Sequence, residues 1–210
     1  MLFRSDGVGA ELIYPTVGML ICNHPDFDYK KACFDAYNRW LQSYVAHDPK
    51  RLVGLGQTAL RTVKEGIADL ERIKAMGFRG VMMPGNPGEK DYDDPAYDPF
   101  WEACEQLGVV VCFHSGAAPN EEFFGPGWPE KADADYPGAM GIYVSEVLWW
   151  TYRPLTFLIW GGVFERFPRL KVSFTETGCG WMLPPYLRLL DHNYHDVQFS
   201  AKLGDFRSHL

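Results

Sequence analysis

With 210 residues, 47% of them hydrophobic and 15% aromatic, the chain can bury a substantial core, which excludes a disordered protein. A formal charge of −7 and a pI near 5.3, with no basic run, argue against nucleic acid or an anionic membrane as partner and suit a soluble cytoplasmic protein. Five widely spaced cysteines without a Cys-x-x-Cys indicate neither a disulfide framework nor a structural zinc site.

The N-terminus lacks the apolar core and small-residue cleavage site of a secretory signal. The first β-type run is Glu11 to Val17, and a helix follows over Asp28 to Ala46, with Ala32, Ala36, Trp40 and Tyr44 on one face. A second strand, Leu52 to Gln57, leads into a helix over Thr62 to Met76 that carries Ile67, Leu70, Ile73 and Met76 on one side and stops at Gly77. The third strand is Gly80 to Pro84. Asp98 as N-cap and Pro99 at the first helical position then open a helix running to Leu107, closed by Gly108. The fourth strand is Val109 to Ser115 and the fifth Lys171 to Thr177. Five consecutive βα units in one domain, residues 1–210, are the economical reading.

Between the last two strands lies an excursion, residues 117–170, far longer than a usual loop. Its first part is rich in Gly, Pro, Asp and Glu. Its second part, Tyr143 to Phe164, is interrupted by Glu146, Arg153, Pro154 and Gly161-Gly162, which predicts two buried or partner-facing helices rather than a membrane span. Trp149, Trp150 and Trp160 would serve a lid or a homodimer contact, or would pack against the sheet.

The candidate chemistry centres on His114, an imidazole delivered by an apolar strand into the small-residue loop Ser115-Gly116. In parallel α/β folds the chemistry sits past the C-terminal ends of the strands, where such a residue can bind a metal or make a structural hydrogen bond. His24 reads as a turn residue before Pro25, and His47 as a helix C-terminal residue. His192 and His195, with Asp191 and Asp196, read as a solvated helix end. Asp91, Asp93, Asp94 and Asp98 lack the glycine and terminal glutamate of a calcium loop. Cys112 lies within an apolar strand and reads as an inert thiol. No phosphate loop or Gly-x-Ser-x-Gly elbow is present, which disfavours nucleotide binding and acyl-enzyme chemistry.

Three segments in order, Tyr14-Pro15-Thr16-Val17-Gly18, Arg51-Leu52-Val53-Gly54-Leu55-Gly56 and Phe164 to Val172, resemble the amidohydrolase-related proteins, the group that includes aminocarboxymuconate semialdehyde decarboxylase. The resemblance implies a (β/α)₈ barrel with a divalent metal, often zinc, at its C-terminal face. The family's ligands are a His-x-His pair on strand one, a His closing strand five and an Asp on strand eight, with a further His ending strand six. Phe113-His114-Ser115-Gly116 matches the strand-five motif, making His114 the metal ligand. No His-x-His occurs, and the five units correspond to strands two to six, a partial TIM (β/α)₈-type barrel expected to lack both ends, since a closed barrel takes about 250 residues. Glu176 stands where the strand-six His belongs; a glutamate there can serve as a general base or a metal-bound oxygen donor and speaks against decarboxylation in particular, or else it caps the following helix.

The resemblance implies a metal-dependent hydrolase of a small organic substrate. Decarboxylation within the same family is the alternative, and a non-catalytic binding or assembly module is another. On the first reading the 210 residues alone are expected to bind zinc weakly and show no turnover. A complete doubly wound open sheet is a third architecture, distinguishable by strand order.

Overall fold

The computed structural model describes residues 7–85, 87, 90–114 and 138–197. Five strands are present: β1 (Glu11–Ile13), β2 (Leu52–Gln57), β3 (Gly80–Met82), β4 (Val110–His114) and β5 (Val172–Thr175). Each lies within a stretch expected from sequence. All neighbouring pairs are parallel and the order is β1-β2-β3-β4-β5, with no reversal. That order rules out the doubly wound sheet, which needs a switch point between strands of opposite winding.

The sheet curls. Laid flat, four spacings of about 4.8 Å would set β1 and β5 roughly 19 Å apart, yet Tyr14, just past β1, hydrogen-bonds through its hydroxyl to Thr175 Oγ1 of β5 at 2.6 Å. A side chain spans that gap only if the sheet bends into a half-barrel. The concave face carries Leu55, Gly80 and Cys112 together: a Cβ added to Gly80 would lie 2.7 Å from Leu55 and 3.3 Å from the Cys112 sulfur.

The convex face packs on helices. Helix α1 is a single turn (Gly18–Ile21), followed by α2 (Phe27–Val45), α3 (Val63–Ala75), α4 (Asp98–Leu107), α5 (Ala139–Trp160), α6 (Val163–Arg166) and α7 (Leu183–Val197). Between sheet and helices lies one apolar cluster with Leu41, Leu70, Ile73, Val81, Trp101, Val111, Phe113 and Leu158. Asp26 caps α2, accepting from the Asp28 and Tyr29 amides at 2.9 and 3.0 Å, and Thr62 caps α3, accepting from the Glu65 amide at 3.1 Å. Gly108 closes α4 in the left-handed region at φ 62°.

Three local expectations are corrected. The buried face of α2 is Lys30, Phe34, Asn38 and Leu41, while Trp40 and Tyr44 are 54% and 42% exposed and stack on each other. Lys30 and Asn38 are buried because they bind main chain, Lys30 Nζ donating to Cys22 O and Asn38 to Gln57 O, so the apolar stripe is not the inner one. Asp98 does not cap α4. A 3₁₀ turn, Pro95–Tyr97, precedes it and is capped by Asp94, leaving Asp98 to hold Arg166 through two hydrogen bonds at 2.8 and 2.9 Å. Finally, Pro154 does not divide the apolar stretch. α5 runs through it for 22 residues and the break falls at Gly161-Gly162, with Gly162 at φ 64°. Thr156, whose hydroxyl donates to Tyr152 O at 2.9 Å, makes a local side-chain bond in this turn.

Candidate active site

Because the strands are parallel, their C-terminal ends, Ile13, Gln57, Met82, His114 and Thr175, form one rim. Along β4 the side chains alternate: Val111 and Phe113 enter the helix-facing cluster, so Cys112 and His114 face the concave side. His114 is 9% exposed and lies in register with Thr175. The Tyr14 ring packs against it, with centroids 5.1 Å apart and planes tilted by 56°. Tyr14 thus joins the two outer strands and touches the imidazole between them.

Glu176, the residue after β5, reaches the same place. Its Oε2 is 3.8 Å from His114 Nε2, and its side chain is 68% exposed. The backbone of Glu176 is left-handed, φ 58°, a conformation that costs a non-glycine residue on the order of 1–3 kcal/mol. The turn that imposes it continues through Gly178, also left-handed at φ 64°, on which the exposed Trp181 ring lies. Thr177 is tied down by the Tyr152 hydroxyl, which donates to its carbonyl. The left-handed backbone of Glu176 is therefore fixed by the turn that follows it, and its carboxylate stands at the rim.

Burial raises the Tyr14 phenol above its ordinary value, the Thr175 hydrogen bond working in the opposite direction, so the group is an O–H at neutral pH. Burial likewise pushes the Cys112 thiol up to about 11, which removes it as a nucleophile. Tyr14 was legible in the sequence only as part of a family-like segment. Its contact with Thr175, 161 residues away, exists only once the sheet has curled.

The remaining candidates are structural. His24 Nδ1 accepts from the Asp26 amide at 3.1 Å, in the turn before α2. His192 pairs with Asp196 at 3.4 Å and His195 with Asp191 at 4.0 Å, all with side chains more than half exposed. Asp91 pairs with Arg153 at 2.7 Å, and Asp94 with Lys90 at 3.0 Å. Among the described residues, no three His, Cys, Asp or Glu come together as a metal shell. None of the described helices is long and apolar enough to cross a membrane. Residues 117–137, the first part of the expected lid, lie outside the described residues. Trp149 and Trp160 pack on α7 aromatics, Trp149 against Tyr186 and Trp160 against Tyr194, and the Trp149 side remains 49% exposed.

Residues 26–204 match the protein family described as amidohydrolase. The chain is 30% identical over 159 residues to the 2-amino-3-carboxymuconate-6-semialdehyde decarboxylase of Dictyostelium discoideum, covering 75% of this chain and 40% of that protein. The 5-carboxyvanillate decarboxylase of Sphingomonas paucimobilis has the same fold, with a TM-score of 0.72 and 23% identity over 95% of this chain and 56% of that one. That of Novosphingobium aromaticivorans, in complex with manganese and 4-hydroxy-3-methoxy-5-nitrobenzoic acid, superposes with a TM-score of 0.72 at 17% identity, covering 97% of this chain and 55% of that one. The chain thus spans about half the length of the relatives it matches.

Proposed function

We infer the chemistry from a plain premise: the chain belongs to the amidohydrolase family, and the relatives just described are named as decarboxylases. The reading adopted is decarboxylation of a small carboxylated substrate, a hydroxylated aromatic acid or a muconate-type acid, in place of the hydrolysis first expected. The observation that carries it is the rim cluster of His114, Tyr14 and Glu176 at the C-terminal end of the half-barrel.

The donor types at the rim suit a divalent cation: an imidazole nitrogen and a carboxylate oxygen, 3.8 Å apart. The imidazole is one of the roughly four to six donors that zinc or manganese takes, and the carboxylate beside it is kept for proton transfer. His114 is the ligand this chain commits, and the family's His-x-His and Asp strands supply the others. The ion, when bound, polarises a substrate oxygen. Manganese in the Novosphingobium decarboxylase supports a divalent ion and favours manganese over the zinc expected at first.

The chain's own residues then have separate tasks. Tyr14, its hydroxyl bonded to Thr175, fixes the face of the imidazole against which it packs. Glu176 delivers a proton to the carbon bearing the carboxylate. The carbon–carbon bond to the carboxylate breaks, its electron pair restores the aromatic ring or the conjugated double bond that the proton had interrupted, CO₂ leaves, and Glu176 takes its next proton from water. To test the reading, the chain is joined to the flanking first and last barrel strands of the Dictyostelium relative and supplied with Mn²⁺ and carboxyl-labelled 2,6-dihydroxybenzoate or 2-amino-3-carboxymuconate 6-semialdehyde. Labelled CO₂ is expected. Ring opening of a cyclic amide to its ring-opened acid, without any CO₂ from the labelled acids, would show a hydrolase instead.

A further inference from the structure

At the C-terminal end of β2, the main chain and the side chain of Gln57 are treated oppositely. β1 is too short to pair with it, its last partner pair being Ile13 with Gly54. Asn38 of α2 takes over: its Nδ2 donates to Gln57 O and its Oδ1 accepts from Gln57 N, both at 2.9 Å. The Gln57 main chain is thus fully satisfied. The side chain is equally buried, the residue being 2% exposed, yet among the described residues neither Oε1 nor Nε2 has a hydrogen-bond partner. A buried carboxamide with both ends unpaired is costly, and native proteins seldom keep one without a use for it.

The direction of the carboxamide follows from β2. A Cβ on Gly54 would meet Leu41 and Phe78, and one on Gly56 would meet Ile73, so these glycines face the helices. Leu55 and Gln57 therefore face the concave side, as do Cys112 and His114. The carboxamide lies directly under Gly18 of α1, where an added Cβ would sit 2.1 Å from Oε1. Gly18 leaves room for a polar group that none of the described residues pairs.

We propose that Gln57 is a ligand-anchoring residue whose free carboxamide receives an ortho-hydroxylated aryl carboxylate, Oε1 accepting from the phenol O–H and Nε2 donating to a carboxylate oxygen. A carboxamide offers that donor–acceptor pair side by side. The proposal rests on the reading of a hydroxylated aromatic acid as substrate. It makes Gln57 the residue that discriminates such acids from unsubstituted ones.

The test measures binding of 2,6-dihydroxybenzoate and of benzoate to the 210-residue chain by equilibrium dialysis, together with Tm. Wild-type protein is expected to prefer the dihydroxy acid at least tenfold. Gln57→Met, close in shape but without the polar ends, should erase the preference and raise Tm by about 2–4 °C, because an unsatisfied group is removed. Gly18→Ala, which displaces the carboxamide, should erase it too. Unchanged preference in Gln57→Met, or no preference in the wild type, overturns the proposal. So does a fall in Tm for Gln57→Met, which would mean the carboxamide is structurally paired. Loss of preference in the variant while the completed barrel releases no CO₂ would sink the decarboxylase reading and leave the anchor standing.

Discussion

Replacing Asn38 by Leu should unfasten the C-terminal end of β2. The side chain is 5% exposed and makes two bonds of 2.9 Å to Gln57, one to the amide and one to the carbonyl. Both main-chain groups point away from β3, and β1 ends before it can reach them. Without Asn38 they stay buried and unpaired, at about 1–3 kcal/mol each. Leucine fills most of the volume and recovers roughly 1 kcal/mol of apolar transfer. The net loss is then about 3 kcal/mol. In urea, with a slope of about 2–3 kcal/mol/M for a chain of this size, the unfolding midpoint should fall by about 1–1.5 M at constant slope. Asn38→Asp should not restore it, because a carboxylate accepts from the amide but presents a second oxygen to the carbonyl. A loss below about 0.5 kcal/mol for Asn38→Leu would refute the reasoning, since the strand end would then have other partners.

Three further outcomes follow from the packing. Tyr14→Phe removes the 2.6 Å bond to Thr175 and should cost about 0.5–1.5 kcal/mol, read as a shift in the urea midpoint; an unchanged midpoint would mean that the bond does not hold the two outer strands together. Gly56→Ala places a Cβ 2.7 Å from Ile73 and should destabilise by about 1–3 kcal/mol through overpacking, whereas a neutral result would show that Ile73 can yield. Burial pushes the Cys22 thiol up to about 12 and the Cys112 thiol to about 11. A raised folded-state pKa contributes stability that is fully present below the unfolded value near 9 and is lost as pH rises towards 11–12. Stability should therefore fall between pH 9 and 12, less steeply in Cys22→Ala, and in the native state at pH 8 a thiol reagent should modify Cys179, which is exposed, well before Cys22, Cys104 or Cys112.

The strands were legible because parallel, doubly covered strands read as short unbroken apolar runs, and Val110–His114 is such a run. Apolar periodicity failed on α2 for a physical reason. Lys30 and Asn38 occupy inner positions as main-chain partners, so the helix buries polar atoms and shows Trp40 and Tyr44 to solvent. Pro154 misled for a different reason, since α5 carries it without dividing. His114 and Glu176 were visible as a strand-end imidazole and a family-like substitution, and the fold brings them within 3.8 Å. Tyr14 and Gln57 depend on the curl of the sheet, which no local pattern encodes. The one available signal was a glutamine ending the otherwise apolar and glycine run Leu52–Gln57.

The most direct measurement compares His114→Ala with Glu176→Gln in the completed barrel, following Mn²⁺ binding and labelled CO₂ release together. His114→Ala should lose both the ion and CO₂ release, while Glu176→Gln should keep the ion and lose CO₂ release by at least a hundredfold. Tight manganese binding by His114→Ala, or undiminished CO₂ release by Glu176→Gln, would contradict the division of roles between these two residues at the rim.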